Sequence, residues 1–370
     1  MGLFDRFKLT AEAAPSAPRH EVDASLAPVP TIDSLYPFFG FAQDATREQA
    51  MSVPTIARGR GIICSSIASI PIELRDRSTG ETIDPPRVFN TPDPRVPGSA
   101  TYVWTAEDLL FFGYAYWRIT ELYSDTYRVR SVERISPTRV TINTNSLSTE
   151  IEYYSVDGYP CPNSGVGSLV VFYGNDEGLL NRAGFTIRTG AELEKAAAMY
   201  AREPMPTMVL KSNGASLPPD RISKLLESWG QARRNRATAF LNADVSLDAV
   251  GFDPEKLQLA AARSYIATEL ARALGIPAYF VDAPTGSSMT YSNATLARQS
   301  LLDFSLIPLM TSIEERLSMP DFCPSSQVAK FNLDEYLRGS AYERAQVYEI
   351  LNRIGAMTPE EIRQEEDLLL

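Results

Sequence analysis

Apolar residues recur along this chain with two different periods, and the change of period divides it. From about Val53 to Ser69, the residues Ile56, Ile63 and Ile67 fall on one helical stripe that Ile70 continues. Pro71 ends the helix, and Ile72 and Leu74 then alternate with charged residues as in a strand. "FNTPDPRVPGS" reads as a proline-rich turn, and "TAEDLLFFG" as a short amphipathic helix closed by Gly113. Five runs follow, "YAYWRITELY", "YRVRSVERI", "TRVTINT", "EIEYYSV" and "GSLVVFY". They are rich in β-branched and aromatic residues and bounded by turn signals, so they read as strands. The first half predicts an α+β fold with a substantial mixed or antiparallel sheet.

The second half is mainly helical. "TGAELEKAAAMYARE" predicts a helix stopped by Pro204 and Pro206, and "TMVLKSNG" a strand. "LPPDRISKLLESWGQARRN" predicts a helix, and "ATAFLNADVSLDAVGF" two short strands. Asp253 as N-cap and Pro254 at the first position open a helix that runs to Leu274, about 30 Å at 1.5 Å per residue. Leu259, Ala262, Ile266, Leu270 and Ala273 form its stripe, and Gly275 and Pro277 close it. "ATLARQSLLDFSLIPLMTSIEERLS" predicts a second long helix, kinked by Pro308. The polar span between these helices, "GIPAYFVDAPTGSSMTYSN", reads as a flexible loop held out by a rigid hairpin. The tail holds two helical stretches, the second opened by a capping box of Thr358 and Glu361. Residues 1–35, rich in Ala, Pro and Ser, predict a flexible arm or a strap across a neighbour.

Composition narrows the chemistry. A length of 370 residues suggests two or three domains, and the net charge is −11. Such a charge argues against a protein that grips nucleic acid by its phosphates, but not against one that DNA passes through. The single histidine, His20, leaves no HExxH zinc site and makes a histidine-based triad improbable. Cys64, Cys161 and Cys323 are far apart and read as reduced thiols. No apolar run approaches the roughly 18 residues of a membrane span, and "MGLFDRF" is too short and polar for a signal segment, so a soluble protein is expected.

"GRGIIC" lacks a third glycine, "GVGSLV" precedes a strand instead of following one, and the chain has neither GxxxxGK[ST] nor GxSxG. Asp176-Glu177 and Glu365-Glu366-Asp367 could hold Mg²⁺ but read as solvated carboxylates. "RRNR", with Arg233, Arg234 and Arg236, is the densest basic cluster and reads as a solvated helix end or a contact to nucleic acid or an acidic partner. Phe111, Phe112, Tyr114, Tyr116 and Trp117 read as core. No catalytic residue, metal site or cofactor is expected.

The order of these motifs resembles the portal protein family of tailed bacteriophages, in its siphophage branch, from about Pro54 to Leu369. The resemblance rests on "TIARGRGIICSSIASIPIEL", "FNTPDP", "FFGYAYWRI", "VERISPTRVTI", "LARALGIPAYFVD", "TYSN", "LLDFSLIPLMTSIEERL", "FNLDEYLR" and "GAMTPEEIR" taken in order. Tyr114 stands where the family has Asn, Tyr173 where it has His, "NRAGFT" replaces a Gly-x-Ser-Pro, and Pro359-Glu360 replaces an Asn before Glu.

The resemblance implies a ring, typically of twelve subunits, at one capsid vertex, assembled in the host cytoplasm and carried in the virion. Double-stranded DNA would be packaged and ejected through it. Its partners would be the major capsid protein, the terminase large subunit and the head–tail connector, with no membrane. The implied parts are a wing at 36–184 with a kinked helix and return at 294–335, stem helices at 185–203 and 254–275, a clip at 204–253, a tunnel loop at 276–293 and a helical crown at 336–370. Arg233, Arg234 and Arg236 would lie on the clip, where partners dock. Asp282, Thr285, Gly286, Ser287, Ser288, Thr290, Tyr291 and Asn293 would line the channel. Small neutral groups there let phosphates slide, where a ring of arginines would hold them. Two other readings stay open: another virion structural protein, such as a capsid subunit or head–tail adaptor, and a metal-dependent hydrolase or nuclease.

Overall fold

The computed structural model describes residues 45–145, 151–202, 208–212, 218–234, 245–249, 258–281, 298–333, 336 and 341–366. In chain order the elements are α1 (Arg47–Ser52), α2 (Pro54–Ser69), β1 (Ile72–Asp76), β2 (Thr82–Ile83), α3 (Arg87–Asn90), α4 (Gly98–Phe112), β3 (Tyr114–Leu122) and β4 (Val129–Ile135). Next come β5 (Val140–Thr144), β6 (Ile151–Val156), β7 (Tyr159–Pro160), β8 (Leu169–Tyr173), α5 (Leu179–Arg182), α6 (Gly184–Arg202), β9 (Met208–Ser212), α7 (Pro219–Arg234) and β10 (Val245–Ala249). The chain continues through α8 (Leu259–Leu274), α9 (Ile307–Leu317), β11 (Gln327–Phe331), α10 (Ala341–Arg353) and α11 (Pro359–Glu365). Packing divides the chain into two units. One contains Ile62–Gly178 and the residues from Leu306 onward; the other contains Ala42–Gly61 and Leu179–Ser305.

The first unit is α+β, as expected, but not around one substantial sheet. Its strands form three separate antiparallel sheets, ordered β4-β3-β8, β5-β6-β7 and β11-β1-β2. Strand propensity specifies a pleated surface and says nothing about which strand pairs with which. The core centres on Trp117, fully buried and in edge contact with Phe172 (4.6 Å), Tyr102 (5.8 Å) and Phe322 (6.5 Å). Its indole N–H donates to Thr105 Oγ1 at 2.8 Å, and that hydroxyl donates in turn to the Thr101 carbonyl.

Helix α4 corrects a second expectation. It begins at Gly98, not Thr105, so "FNTPDPRVPGS" is a turn only in its middle: Phe89 and Asn90 end α3, and Gly98 and Ser99 start α4. The helix is not amphipathic either, because every residue from Thr105 to Phe112 is buried. A helix enclosed on all sides carries no polar stripe for periodicity to detect. The buried Asp108 is satisfied by two bonds from Arg134, at 2.8 and 2.5 Å, and that guanidinium lies over Trp104.

The family-like "FFGYAY" segment marks a backbone crossing. Gly113 caps α4 at φ 78°, and a Cβ there would lie 2.3 Å from the Asp176 carbonyl oxygen. A Cβ on Gly178 would lie 2.4 Å from the Phe111 carbonyl oxygen. Asp176, read as a solvated carboxylate, instead closes this turn by accepting the Gly178 N–H at 2.8 Å. Two departures from the family pattern face each other, since Tyr114 pairs with Tyr173 across β3 and β8.

Exposed sheet edges are sealed from within the unit. On β11, Ser318 accepts the Ala329 N–H and Glu314 accepts the Phe331 N–H. Arg316 donates to the Val171 carbonyl on β8, while its other nitrogens fork onto Asp321 at 2.8 and 2.6 Å. On β4, the Val129 and Val132 N–H groups donate to the Asp321 and Pro92 carbonyls. Each contact removes a free edge on which another strand could pair.

Two helix expectations in the second half also change. The described helix α8 starts at Leu259, behind Gln258 in the left-handed conformation (φ 49°), so no continuous helix runs from Pro254. Its 16 residues span about 24 Å at 1.5 Å each. The strain expected at Pro308 is taken up by a π-helical stretch, Leu302–Leu306, immediately before α9. Widening the turn relieves the clash of a proline ring with the carbonyl four residues earlier.

Candidate assembly surfaces and channel loop

The second unit is built on α6 and α8. Glu194 is forked by Arg263 with two bonds of 3.0 Å, Gly190 meets Ile266, and Arg182 donates to the Ala273 carbonyl. These pairings run in opposite directions along the two helices, so the pair is antiparallel. The approach at Gly190 is close, because a Cβ would lie 3.3 Å from Ile266 Cγ2 and 3.4 Å from Val53 Cγ2. Ile187 and Ala191 are buried on α6, and Leu270, Ala271 and Leu274 on α8. The predicted α8 stripe is thus buried only towards its C-terminal end.

The opposite end and the outer faces are bare. Phe185 is 73% exposed, Phe304 73%, Met199 70% and Tyr265 64%. Helix α7 is more extreme. Ile222, Leu225, Leu226 and Trp229 recur at the spacing of one apolar stripe, yet Ile222 is 42% and Leu226 56% exposed. Among the described residues no element makes an extensive contact with α7. It lies between β9 and β10, which pair as a two-stranded antiparallel hairpin with Met208 opposite Ala249.

The predicted channel loop can be assessed only at its base. Asp282, Thr285, Gly286, Ser287, Ser288, Thr290, Tyr291 and Asn293 lie outside the described residues, as does Arg236. Arg233 and Arg234 fall in the last turn of α7. Both ends of the loop are tied to one place. Gly275 caps α8 at φ 70°, and its carbonyl accepts a 2.6 Å bond from Ser305 Oγ. Arg58 holds the entering turn, Ala278–Val281, through the Phe280 carbonyl at 2.8 Å. Gly59 lets α2 close on this base, since a Cβ there would lie 2.5 Å from Leu274 Cδ1 and 3.0 Å from Ile276 Cδ1. Sequence reasoning missed Arg58, Gly59 and Ser305, which lie on helical stretches with no local mark of what they touch.

No group of three or more His, Cys, Asp or Glu among the described residues could hold a metal ion. No helix among them is long and apolar enough to cross a membrane.

The fold, an α+β unit together with an antiparallel helix pair bearing a small hairpin-and-helix unit, is that of portal subunits. The crystal structure of an HK97 family phage portal protein from Corynebacterium diphtheriae matches with a TM-score of 0.64 and 26% identity, over 79% of this chain and 98% of that one. A chain in the neck of a native gene transfer agent particle, computed with C12 symmetry, shares the fold at a TM-score of 0.56 and 16% identity, over 90% and 96% of the two chains. The chain belongs to the phage portal protein family, whose model matches residues 54–367. A probable portal protein of Streptomyces phage phiC31 is 26% identical over 176 residues, which is 46% of this chain and 38% of that protein. The chain therefore spans well under half the length of that curated relative.

Proposed function

We propose that this protein forms the ring at one capsid vertex through which phage DNA is packaged and later ejected. The observation that carries this reading is α7. An isolated helix of that length is marginal in water, and so is a lone two-stranded hairpin. A stripe of Ile222, Leu225, Leu226 and Trp229 with Ile222 and Leu226 exposed needs a partner surface to become stable. The bare Phe185, Met199 and Tyr265 on α6 and α8 extend the same argument to the helix pair.

In this reading α6 and α8 are the stem, β9, α7 and β10 the clip, the first unit the wing, and α10 and α11 the crown. The loop at 276–293, whose flanks are joined by the bond between Gly275 and Ser305, is the tunnel loop. Ser287, Ser288 and Thr290 present a neutral lining along which DNA slides. The basic end of α7 docks the terminase during packaging and the head–tail connector afterwards. The C12 symmetry of the related neck particle supports twelve subunits.

Solution mass tests the reading. Twelve copies of a 40.9 kDa chain give about 490 kDa by mass photometry or light scattering. A stable 40.9 kDa species across concentrations and salts would overturn it.

A further inference from the structure

The first unit contains a cleft whose lining residues have no part in the function proposed above. Its volume is about 360 Å³, within the range that holds ligands. Leu74, Ile83 and Phe322 form an apolar floor, Arg128 lies among them, and the exposed Asp84 and Asp125 stand on the rim. Among the described residues the buried Arg128 Nε has no hydrogen-bond partner. A buried unmet donor costs about 1–3 kcal/mol, so such groups normally find an acceptor.

The turn that sets Arg128 there is strained. Tyr127, between two residues lining the cleft, sits at φ 55°, a left-handed conformation that a bulky residue seldom adopts. Two backbone bonds hold it, from the Tyr127 N–H to the Tyr123 carbonyl and from the Tyr123 N–H to the Arg128 carbonyl. The Tyr127 ring is nevertheless 64% exposed.

The missing occupant is an apolar segment that offers an acceptor oxygen and little else. Proline-rich strands have this chemistry. Their prolines lack N–H groups, and such strands leave carbonyls free and dock in aromatic-lined grooves at low entropic cost. The chain has such a stretch, "APVPTI" from Ala27 to Ile32, within the 44 residues that precede Ala45. Tyr123, Pro86 and Pro324 complete a lining suited to prolines. Neither a carboxylate nor an amine fits as well, because the exposed rim acids repel the first and Arg128 repels the second.

We propose that this cleft receives the Ala27–Ile32 segment of the chain, with Arg128 donating to one of its backbone carbonyls. The docking is independent of ring formation, which solution mass reads separately. The test uses the full chain with Pro28, Val29 and Pro30 all changed to Ser. Hydrogen exchange of the Thr126–Arg128 amides should then rise roughly tenfold, as expected when a charge-assisted bond and its apolar cover are lost. A synthetic peptide of residues 24–36 should restore protection when added to that variant. It should fail to do so when Arg128→Met is added, and should act partially with Arg128→Lys. Thermal melts confirm that each variant is folded. Unchanged exchange in the triple variant would overturn the proposal, and so would peptide binding that ignores Arg128→Met.

Discussion

The strand edges of the first unit and the helices of the second are finished in different ways. In the first, polar side chains close what the backbone leaves open: Arg316, Glu314 and Ser318 seal strand edges, and Arg134 satisfies the buried Asp108. In the second, large apolar side chains stand in solvent on α6, α7 and α8. The contrast separates two sources of stability. The strand edges of the first unit are closed by its own contacts, whereas the α7 stripe awaits contacts that a single copy does not contain. A ring supplies the second kind, because each closed heterologous contact repeats around the axis.

The largest expected effect lies in the self-contained unit. Arg316→Ala leaves Asp321 buried without its partner and reopens the edge of β8. It should destabilise that unit by about 3–5 kcal/mol in monomer and ring alike, read by thermal or urea unfolding. An effect that vanished in the monomer would erase the distinction between the units.

Phe185→Asp with Tyr265→Asp should do the reverse. Both residues are exposed in one copy, so the isolated chain should change by no more than about 0.5 kcal/mol. Assembly should nevertheless fail, leaving a folded monomer in light scattering. Intact rings would remove these faces from the subunit interface.

Smaller effects test the surfaces proposed to meet other components. Changing Arg233, Arg234 and Arg236 together to Glu should leave rings intact but slow terminase association and steepen its dependence on salt. Normal docking would remove α7's basic end from that role. Ser287→Arg with Ser288→Arg should slow DNA translocation at low salt and recover as ionic strength rises. Equal packaging rates at low salt would separate this loop from the channel.

Much of the fold was legible in the sequence where one residue type dictates local geometry. Gly113 and Gly275 cap helices as expected, and the Thr358–Glu361 capping box closes with bonds of 2.7 and 3.3 Å. The five β-branched runs all became strands. Pairing was not legible, because alternation marks a face and not a neighbour, so one sheet was expected where three formed. The start of α4 was hidden by Gly98, Ser99 and Thr101, poor helix formers whose helix is held by the burial of its second half, Thr105 to Phe112. Asp253-Pro254 offered a good helix start, yet Gln258 breaks any continuous helix before Leu259.

The assembly surface was half legible. The Ile222–Trp229 stripe announced a helix with one apolar face, but a stripe that meets its own core and one that meets another subunit look alike in sequence. Only exposure in the folded chain tells them apart.

A cryo-electron microscopy map of the purified assembly tests the central claim most directly. The account predicts a closed ring with a central hole. Phe185, Met199 and Tyr265 and the α7 stripe should be buried between neighbouring copies, and Ser287 and Ser288 should face the channel. A ring that left those four α7 residues in solvent, or a particle with no central hole, would contradict it.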